Sequence, residues 1–554
     1  MDSERLLLYV GKPDDGSRTT NNDDKIQAAT FSRFALPFSY KIELCDAKHA
    51  DLFYQINPLS NISFTKRRKY FTRETAFTLY ERAIWLDMCA NWGKTSWGKE
   101  EITVTLRKTD FVIGMLPPRI VLFEAGDGVV GGLAELSRQA GAQVVQSGFL
   151  LVDLYFPEQK EKPILDDLLM LNEYFRHFGM PYDEHAQFFK SSFGRVPAIH
   201  STDGPVITAS DLDKFKRYFD RWADLLELPV KLEGKFYRLF PKAWAKNGRR
   251  FSYNEERFDV ADNWQIYADN RAYVWSAAFL NDGGKALQEL FNPKKDSVDA
   301  GDYGHWIKFL NVDNPSFDFQ PASTHSNVST FERNWADERT YKRWEHSGTW
   351  YGYCYHSGVV LAPAPTGDEK DNLSFAPFSS YYFDASLLLF YIRISLFRFS
   401  KELTRVFQRN GEEGKRRESL RKIRKQFSKF TILYRFPMVS NQQQMLEMFK
   451  LNRKYFDIDD FFKEVQHEID NTHDFLESVE ANELSTAANK LAKYGIPLAA
   501  GGLLTGIFGM SGADLVDCIC GICTPWWDLI AKGAMVLFIV LVFWVWLGRD
   551  GVKK

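Results

Sequence analysis

The chain alternates between segments patterned for strands and segments patterned for helices. ITVTLRK (102–108) alternates apolar and polar positions, as does much of GFLLVDLYF (148–156), and both predict strands. Three aromatic-rich runs, AYVWSAAFL (272–280), WIKFLNV (306–312) and TWYGYCYHSGVVLA (349–362), predict further strands. Asp166 to His177 reads as a helix, with acids in its first turn and Gly179 as a stop. Ser210 opens another, with Phe215, Tyr218, Phe219, Trp222 and Leu226 on one face. These elements predict an α/β domain over 1–380, and PAPTGDEKDN (363–372) is the linker that closes it.

From Tyr381 the period becomes helical. SLLLFYIRISLF (386–397) is apolar enough to resemble a membrane span, but Arg393 and Arg398 interrupt it, and an arginine in lipid is costly. It therefore predicts a buried helix. Lys415 to Lys429 is strongly basic, which suits a solvated helix face, an anionic-ligand site or contact with anionic lipid. Ser440, with Gln443 as the second half of a capping box, opens a long helix. Ile458, Phe462, Val465, Ile469, Leu476 and Val479 recur along it at helical steps, with acids over much of the other surface. No proline intervenes before Pro497, so one helix from Ser440 to about residue 510 would extend about 105 Å. The expected division is a helical stalk over 381–490 after the α/β domain.

The last sixty residues hold two apolar runs, YGIPLAAGGLLTGIFGMSG and GAMVLFIVLVFWVWLG, joined by a segment without Lys or Arg between Ser511 and Trp526. A spanning helix needs about 20 apolar residues to cross a hydrocarbon core of roughly 30 Å. The pattern predicts a two-helix transmembrane hairpin over 491–554, with an outer loop at 511–526. Lys490 and Lys493 before the first run, and Arg549, Lys553 and Lys554 after the second, place both ends in the cytoplasm. Localisation in an inner or plasma membrane follows as the expectation. Trp526 and Trp527 suit one interface, Trp544 and Trp546 the other.

Composition adds limits. The net charge of −2 over 554 residues argues against a generally basic nucleic-acid binder. Six cysteines are too few for a disulfide scaffold, and Cys45, Cys89 and Cys354 are expected as reduced thiols. The opening residues lack the basic flank and apolar core of a secretory signal.

On the first apolar run, Ala488, Leu491, Gly495, Ala499, Gly502 and Gly506 fall on one helical stripe. Such a stripe either packs helices closely or, repeated around an axis, lines a narrow pore. The run ends in Phe508-Gly509-Met510-Ser511, followed by the acids Asp514 and Asp517, a second apolar run and a basic tail. This order of parts resembles the CorA family of magnesium channels, whose first span closes with Gly-Met-Asn. The resemblance covers roughly residues 380–554. It implies a homopentamer in the lipid bilayer, gated by its cytoplasmic α/β domain and conducting magnesium or another cation. Leu491, Gly495, Ala499, Gly502, Gly506, Gly509 and Ser511 would line the pore. Ser511 stands where the family has asparagine, a departure that bears on magnesium selectivity. The chain is also similar to the CorA-like proteins found beside type III CRISPR systems, which implies a nucleotide messenger as the gating ligand.

Other candidate chemistry is sparse. Gly126-x-Gly128-x-x-Gly131 is either a plain glycine turn or a loop offering backbone N–H groups to a phosphate. Cys518, Cys520 and Cys523 suit a soft metal or, outside the cytoplasm, a disulfide; Cys518–Cys523 is the pairing expected. No nucleophile–base set marks an enzyme. The rival to a channel is a membrane-anchored oligomeric ligand sensor without conduction, and a further rival, a nucleotide-processing enzyme, rests on the glycine loop alone.

Overall fold

A computed structural model describes most of residues 29–123, then 146–176, short stretches between 198 and 239, 272–281, 301–313, 330–364, 375–408 and 413–509, together with 6–11 and a few positions within 530–538. Two compact units are present, Met1–Glu468 and Ile469–Lys554. The helices at 383–408, 413–434 and 443–455 belong to the first unit with the sheet, and the boundary at 468/469 falls inside the helix at 458–509.

Among the described residues, the first unit is built on a mixed sheet of fifteen strands. In chain order these are β1 Phe31–Tyr40, β2 Glu43–Leu44, β3 Phe53–Gln55, β4 Ile84–Asp87, β5 Glu100–Leu106, β6 Thr109–Met115, β7 Arg119–Phe123, β8 Gln146–Tyr155, β9 Ala198–Ser201, β10 Val230–Leu232, β11 Lys235–Arg238, β12 Tyr273–Leu280, β13 Thr340–Tyr341, β14 Trp350–Tyr353 and β15 Ser357–Pro363. Their spatial order is β13-β14-β15-β12-β1-β8-β7-β4-β3-β10-β11-β2, with β6 joining β8, β5 joining β6, and β9 joining β5. The β12–β15 and β10–β3 pairs are parallel. At the centre, β1 runs antiparallel to β8 over ten residues, Phe31 opposite Tyr155 through Tyr40 opposite Gln146. The strands expected at 102–108, 148–156 and 272–280 correspond to β5, β8 and β12, and the run at 349–362 folds back on itself as β14 and β15.

Described helices are α1 Ile62–Arg68, α2 Arg73–Phe77, α3 Leu165–Phe175, α4 Gly301–Asn311, α5 Thr330–Glu338, α6 Phe383–Gln408, α7 Glu413–Tyr434, α8 Gln443–Tyr455 and α9 Ile458–Gly509. The alternation of side chains along β1 explains the layering. Phe34, Leu36, Phe38 and Tyr40 point into a core shared with α3 and α4. On that face Ser32 Oγ lies 2.8 Å from Ser276 Oγ, and Asn172 of α3 donates to Ser276 Oγ at 3.1 Å, so the buried polar atoms there are paired. The opposite face is aromatic and packs against α6. Phe123 stacks on Tyr391 with ring centroids 4.3 Å apart, and Trp275 stacks on Phe378 at 4.2 Å.

α6 is thus a buried helix of the first unit, as its arginines required. Arg393 is buried with its guanidinium 3.2 Å from the Tyr355 ring centroid. α7 carries the basic segment; Leu420, Ile423, Phe427, Phe430 and Tyr434 turn inward, and Lys422 and Lys425 are exposed.

Three expectations are corrected. WIKFLNV forms most of α4 and not a strand. Tyr303, Trp306, Ile307 and Leu310, at helical steps, are all buried, so the helical period prevails over β-branched and aromatic composition. The helix expected from Ser440 to 510 is two helices, α8 and α9, broken at Phe456 and Asp457. Ser440 is not their cap: its Oγ accepts from Gln442 N–H at 3.0 Å and donates to the Tyr70 carbonyl.

The third concerns the membrane. No described helix is long and apolar enough to cross one. This overturns the expected α+β domain, stalk and two-helix transmembrane hairpin as a fold class, and with it the multi-pass placement in an inner or plasma membrane. The physical reason is visible on α9. Its apolar end, 494–509, spans only about 24 Å at about 1.5 Å per residue, short of the roughly 30 Å core. Lys490 and Lys493 precede it directly, and five glycines, Gly495, Gly501, Gly502, Gly506 and Gly509, dilute its hydropathy. The second apolar run lies mostly outside the described residues.

Candidate functional site

Leu491, Gly495, Ala499, Gly502, Gly506 and Gly509 all lie on α9. Leu491 is 73% exposed, and Leu484 and Leu503 are similarly open at 71% and 65%. A Cβ added at Gly495, Gly502 or Gly506 would meet nothing within 4 Å. This stretch therefore presents apolar and small residues with no covering side chains at its glycines. Met510, Ser511, Asp514, Asp517, Cys518, Cys520 and Cys523 lie outside the described residues, as do Gly126, Gly128 and Gly131. The signature end, the loop acids, the cysteine pairing and the glycine loop consequently have no placement. Of the other thiols, Cys354 is buried and donates to the Leu310 carbonyl at 2.9 Å, and burial pushes its pKa up. Cys45 is half-buried, and Cys89 is outside the described residues.

The described structure draws attention to the joint where α8 ends and α9 begins. α8 turns Met445, Met448 and Phe449 inward, at helical steps. Buried Asn452 fixes it to α6 by donating to Ser386 Oγ at 2.7 Å, and Ser386 donates to the Tyr382 carbonyl at 2.9 Å. Phe456 follows with its ring fully buried, 5.2 Å from the Tyr273 centroid and stacked on Phe390 at 5.9 Å. Asp457 then adopts a left-handed backbone, φ 55°. Few residues besides glycine take this conformation readily; aspartate and asparagine are the usual exceptions. Asp457 N–H donates to the Lys454 carbonyl at 3.0 Å, and the Asp457 carbonyl accepts from Phe461 N–H at 3.2 Å, closing α8 and opening α9.

A cavity of about 460 Å³ opens at this joint, a size within the range of about 300–1,000 Å³ usual for small-molecule sites. Phe436, Pro437, Val439, Leu446, Phe449 and Ile458 supply its apolar wall, and Lys450, Arg453, Lys454, Asp457, Asp459 and Asp460 its charges. Arg453 Nε reaches Asp459 at 3.0 Å, and these hydrogen bonds hold the Asp459 carboxyl below its usual range against a smaller opposing push from burial. Lys463 pairs with Asp460 at 2.8 Å, and Lys454 reaches Glu338 at 3.9 Å. No group of three or more His, Cys, Asp or Glu among the described residues is arranged to hold a metal. The arrangement suits reversible binding of a small molecule.

The long-helix reading missed this site because neither Phe456 nor Asp457 is a strong helix breaker. The one available signal was D-I-D-D, acids crowded at 457–460 where a new helix N-terminus favours them. No family model matches the chain, and neither a curated protein nor a solved structure matches it.

Proposed function

We propose that the chain is a self-associating sensor, with a ligand-responsive α/β body and a helix, α9, through which copies meet. The carrying observation is that Leu484, Leu491 and Leu503 are each at least 65% exposed on a helix whose nearby glycines have open space above them. A helix that leaves large apolar side chains in water is stabilised by burying them against a neighbour, at roughly 25 cal/mol per Å². The glycines admit close approach of another backbone. The CorA resemblance supplies five as the expected number of copies. The joint at Asp457 supports the sensing half of the proposal, since it places a cavity at the first turn of α9.

The narrower reading, a cation channel, requires a membrane-crossing element, and none of the described helices is one. Ion flux into liposomes decides it separately and does not bear on self-association.

The test is mass in solution, by native mass spectrometry and sedimentation, of the full chain and two variants. The unmodified protein is expected as one defined oligomer. Leu491→Asp and Gly502→Leu are expected to shift it toward monomer with unchanged helix content, since Leu491 is 73% exposed and a Cβ at Gly502 meets nothing within 4 Å. A monomer for the unmodified chain, or oligomers indifferent to both substitutions, overturns the proposal.

A further inference from the structure

We propose that the cavity at the α8–α9 joint binds a small zwitterion with an apolar body, an α-amino acid with a large hydrophobic side chain being the type case. The inference rests on the sensor reading for its consequence and on the joint's own geometry for its chemistry. Three cations and three carboxylates line the cavity, so no excess of either sign favours a polyanion or a polycation. Within this set Arg453 pairs with Asp459, Asp460 pairs at the surface with Lys463, and Lys454 approaches exposed Glu338 at 3.9 Å. Lys450 and Asp457 remain, of opposite sign, with no ion pair between either of them and another described residue.

Both are exposed at the cavity mouth, and a ligand that bridges them needs a negative group for Lys450 and a positive one for Asp457. Charge-assisted hydrogen bonds of this kind are about twice as strong as neutral ones. Phe436, Leu446 and Phe449 offer the apolar body a place out of water. A nucleotide fits poorly, because its several phosphate charges would find Lys450 as the one lining cation without an ion pair to a described residue, beside three carboxylates. A divalent ion fits poorly, because the acids do not converge as a ligand group. Asp457 is also the residue whose left-handed backbone separates α8 from α9. A ligand held by its carboxylate would brace that turn, so occupancy would be felt where α9 begins.

Calorimetry and thermal shift on the full chain, with L-phenylalanine and L-leucine as probes, test the proposal. The controls are N-acetyl-L-phenylalanine, which lacks the ammonium, phenethylamine, which lacks the carboxylate, and adenosine monophosphate. Saturable binding of an amino acid is expected, with each truncated analogue weaker by at least about tenfold. Lys450→Gln and Asp457→Asn should each weaken it by a similar factor. Asp457→Gly removes the carboxylate while easing the left-handed backbone, so its loss of binding with intact helix content separates ligand contact from misfolding. Absence of binding by both amino acids, equal binding of the truncated analogues, or tighter binding of the nucleotide overturns the proposal. Mass in solution without ligand is measured alongside. An oligomer that binds no zwitterion refutes the ligand assignment alone, and a monomer that binds one refutes the self-association alone.

Discussion

Arg33 and Asp153 stand directly opposite each other on β1 and β8 and form a buried two-pronged pair, Nε to Oδ1 at 2.7 Å and Nη2 to Oδ2 at 2.9 Å. Arg119 adds a third bond to Asp153 Oδ2 at 2.8 Å. The Arg33 Nη1 group donates to the Ser379 carbonyl at 3.0 Å, and its guanidinium lies 4.3 Å from the Phe383 ring centroid. The cluster thereby ties the sheet centre to the start of α6. Desolvating such charges costs several kcal/mol per ion, so the pair need not be a net stabiliser, but its halves depend on each other.

Asp153→Asn should therefore destabilise the first unit by about 3–5 kcal/mol, the range for breaking a buried pair by removing one partner. The buried guanidinium of Arg33 and the half-buried one of Arg119 would be left facing an uncharged amide. Urea unfolding followed by tryptophan fluorescence measures it, with Trp275 among the reporters beside this layer. A loss below about 1 kcal/mol would mean the arginines find other partners.

The same carboxylate sets an acid dependence. Burial pushes the Asp153 pKa up, but the charges and hydrogen bonds of Arg33 and Arg119 outweigh it and hold the carboxyl below its usual range. A pKa depressed by folding contributes stability that is complete above the unfolded value, about 3.9, and is lost as pH falls through the folded value. Unfolding free energy of the unmodified protein should thus fall below about pH 4. The Asp153→Asn variant should show a shallower fall over the same interval. Parallel curves would place the acid sensitivity elsewhere.

Val312 ends α4 in a left-handed conformation, φ 57°, while fully buried. Asp313 N–H donates to the Lys308 carbonyl at 2.9 Å across it, the helix-closing bond usually seen around glycine. A left-handed backbone costs a non-glycine residue about 1–2 kcal/mol, and burying valine returns about 1.5–3 kcal/mol. Val312→Ala loses burial and keeps the strain, whereas Val312→Gly loses burial and sheds it. The glycine variant should therefore be the more stable of the two by thermal unfolding, contrary to the ordinary ranking of alanine over glycine. The reverse order would show that packing alone governs this turn.

What could be read ahead of the structure was local. β8 and β12 were legible because period-two or continuous apolar runs of that length have few alternatives, and α3 because acids opened it. Arg393 and Arg398 marked α6 as a protein-buried helix and not a lipid-buried one. α4 was misread because Trp306, Ile307, Phe309 and Leu310 satisfy strand composition as well as helical spacing, and seven residues do not separate the two. The Arg33–Asp153 pair was not legible at all, since its members lie 120 positions apart and meet only through the register of β1 on β8. The apolar end of α9 shows the opposite failure: a familiar order of residues suggested a span, yet its lysines and glycines leave it too short and too polar. The joint at Asp457 was missed because its cause is tertiary, a phenylalanine drawn into the aromatic layer under α6.

That phenylalanine carries the last prediction. Phe456 is fully buried, stacked on Phe390 and flanked by Tyr273, with the Arg393 guanidinium 5.8 Å from its ring centroid. Its neighbours come from β12 and α6, so the ring fastens the turn between α8 and α9 to the body. Phe456→Ala removes that anchor and leaves a cavity, at a cost of about 3–5 kcal/mol. If the ring were only core filling, the loss would appear as a uniform drop in stability. If it holds the joint, the loss is concentrated there, because the left-handed Asp457 turn persists only while its surroundings enforce it. Hydrogen exchange distinguishes the two. Amide protection at 458–462, including the Phe461 N–H bonded to Asp457, should fall further than protection at 149–154 of β8. Phe456→Leu, which keeps much of the apolar volume, should lose less in both regions. An equal fall at the joint and in β8 would reduce Phe456 to a packing residue and remove the physical link between the aromatic layer and the start of α9.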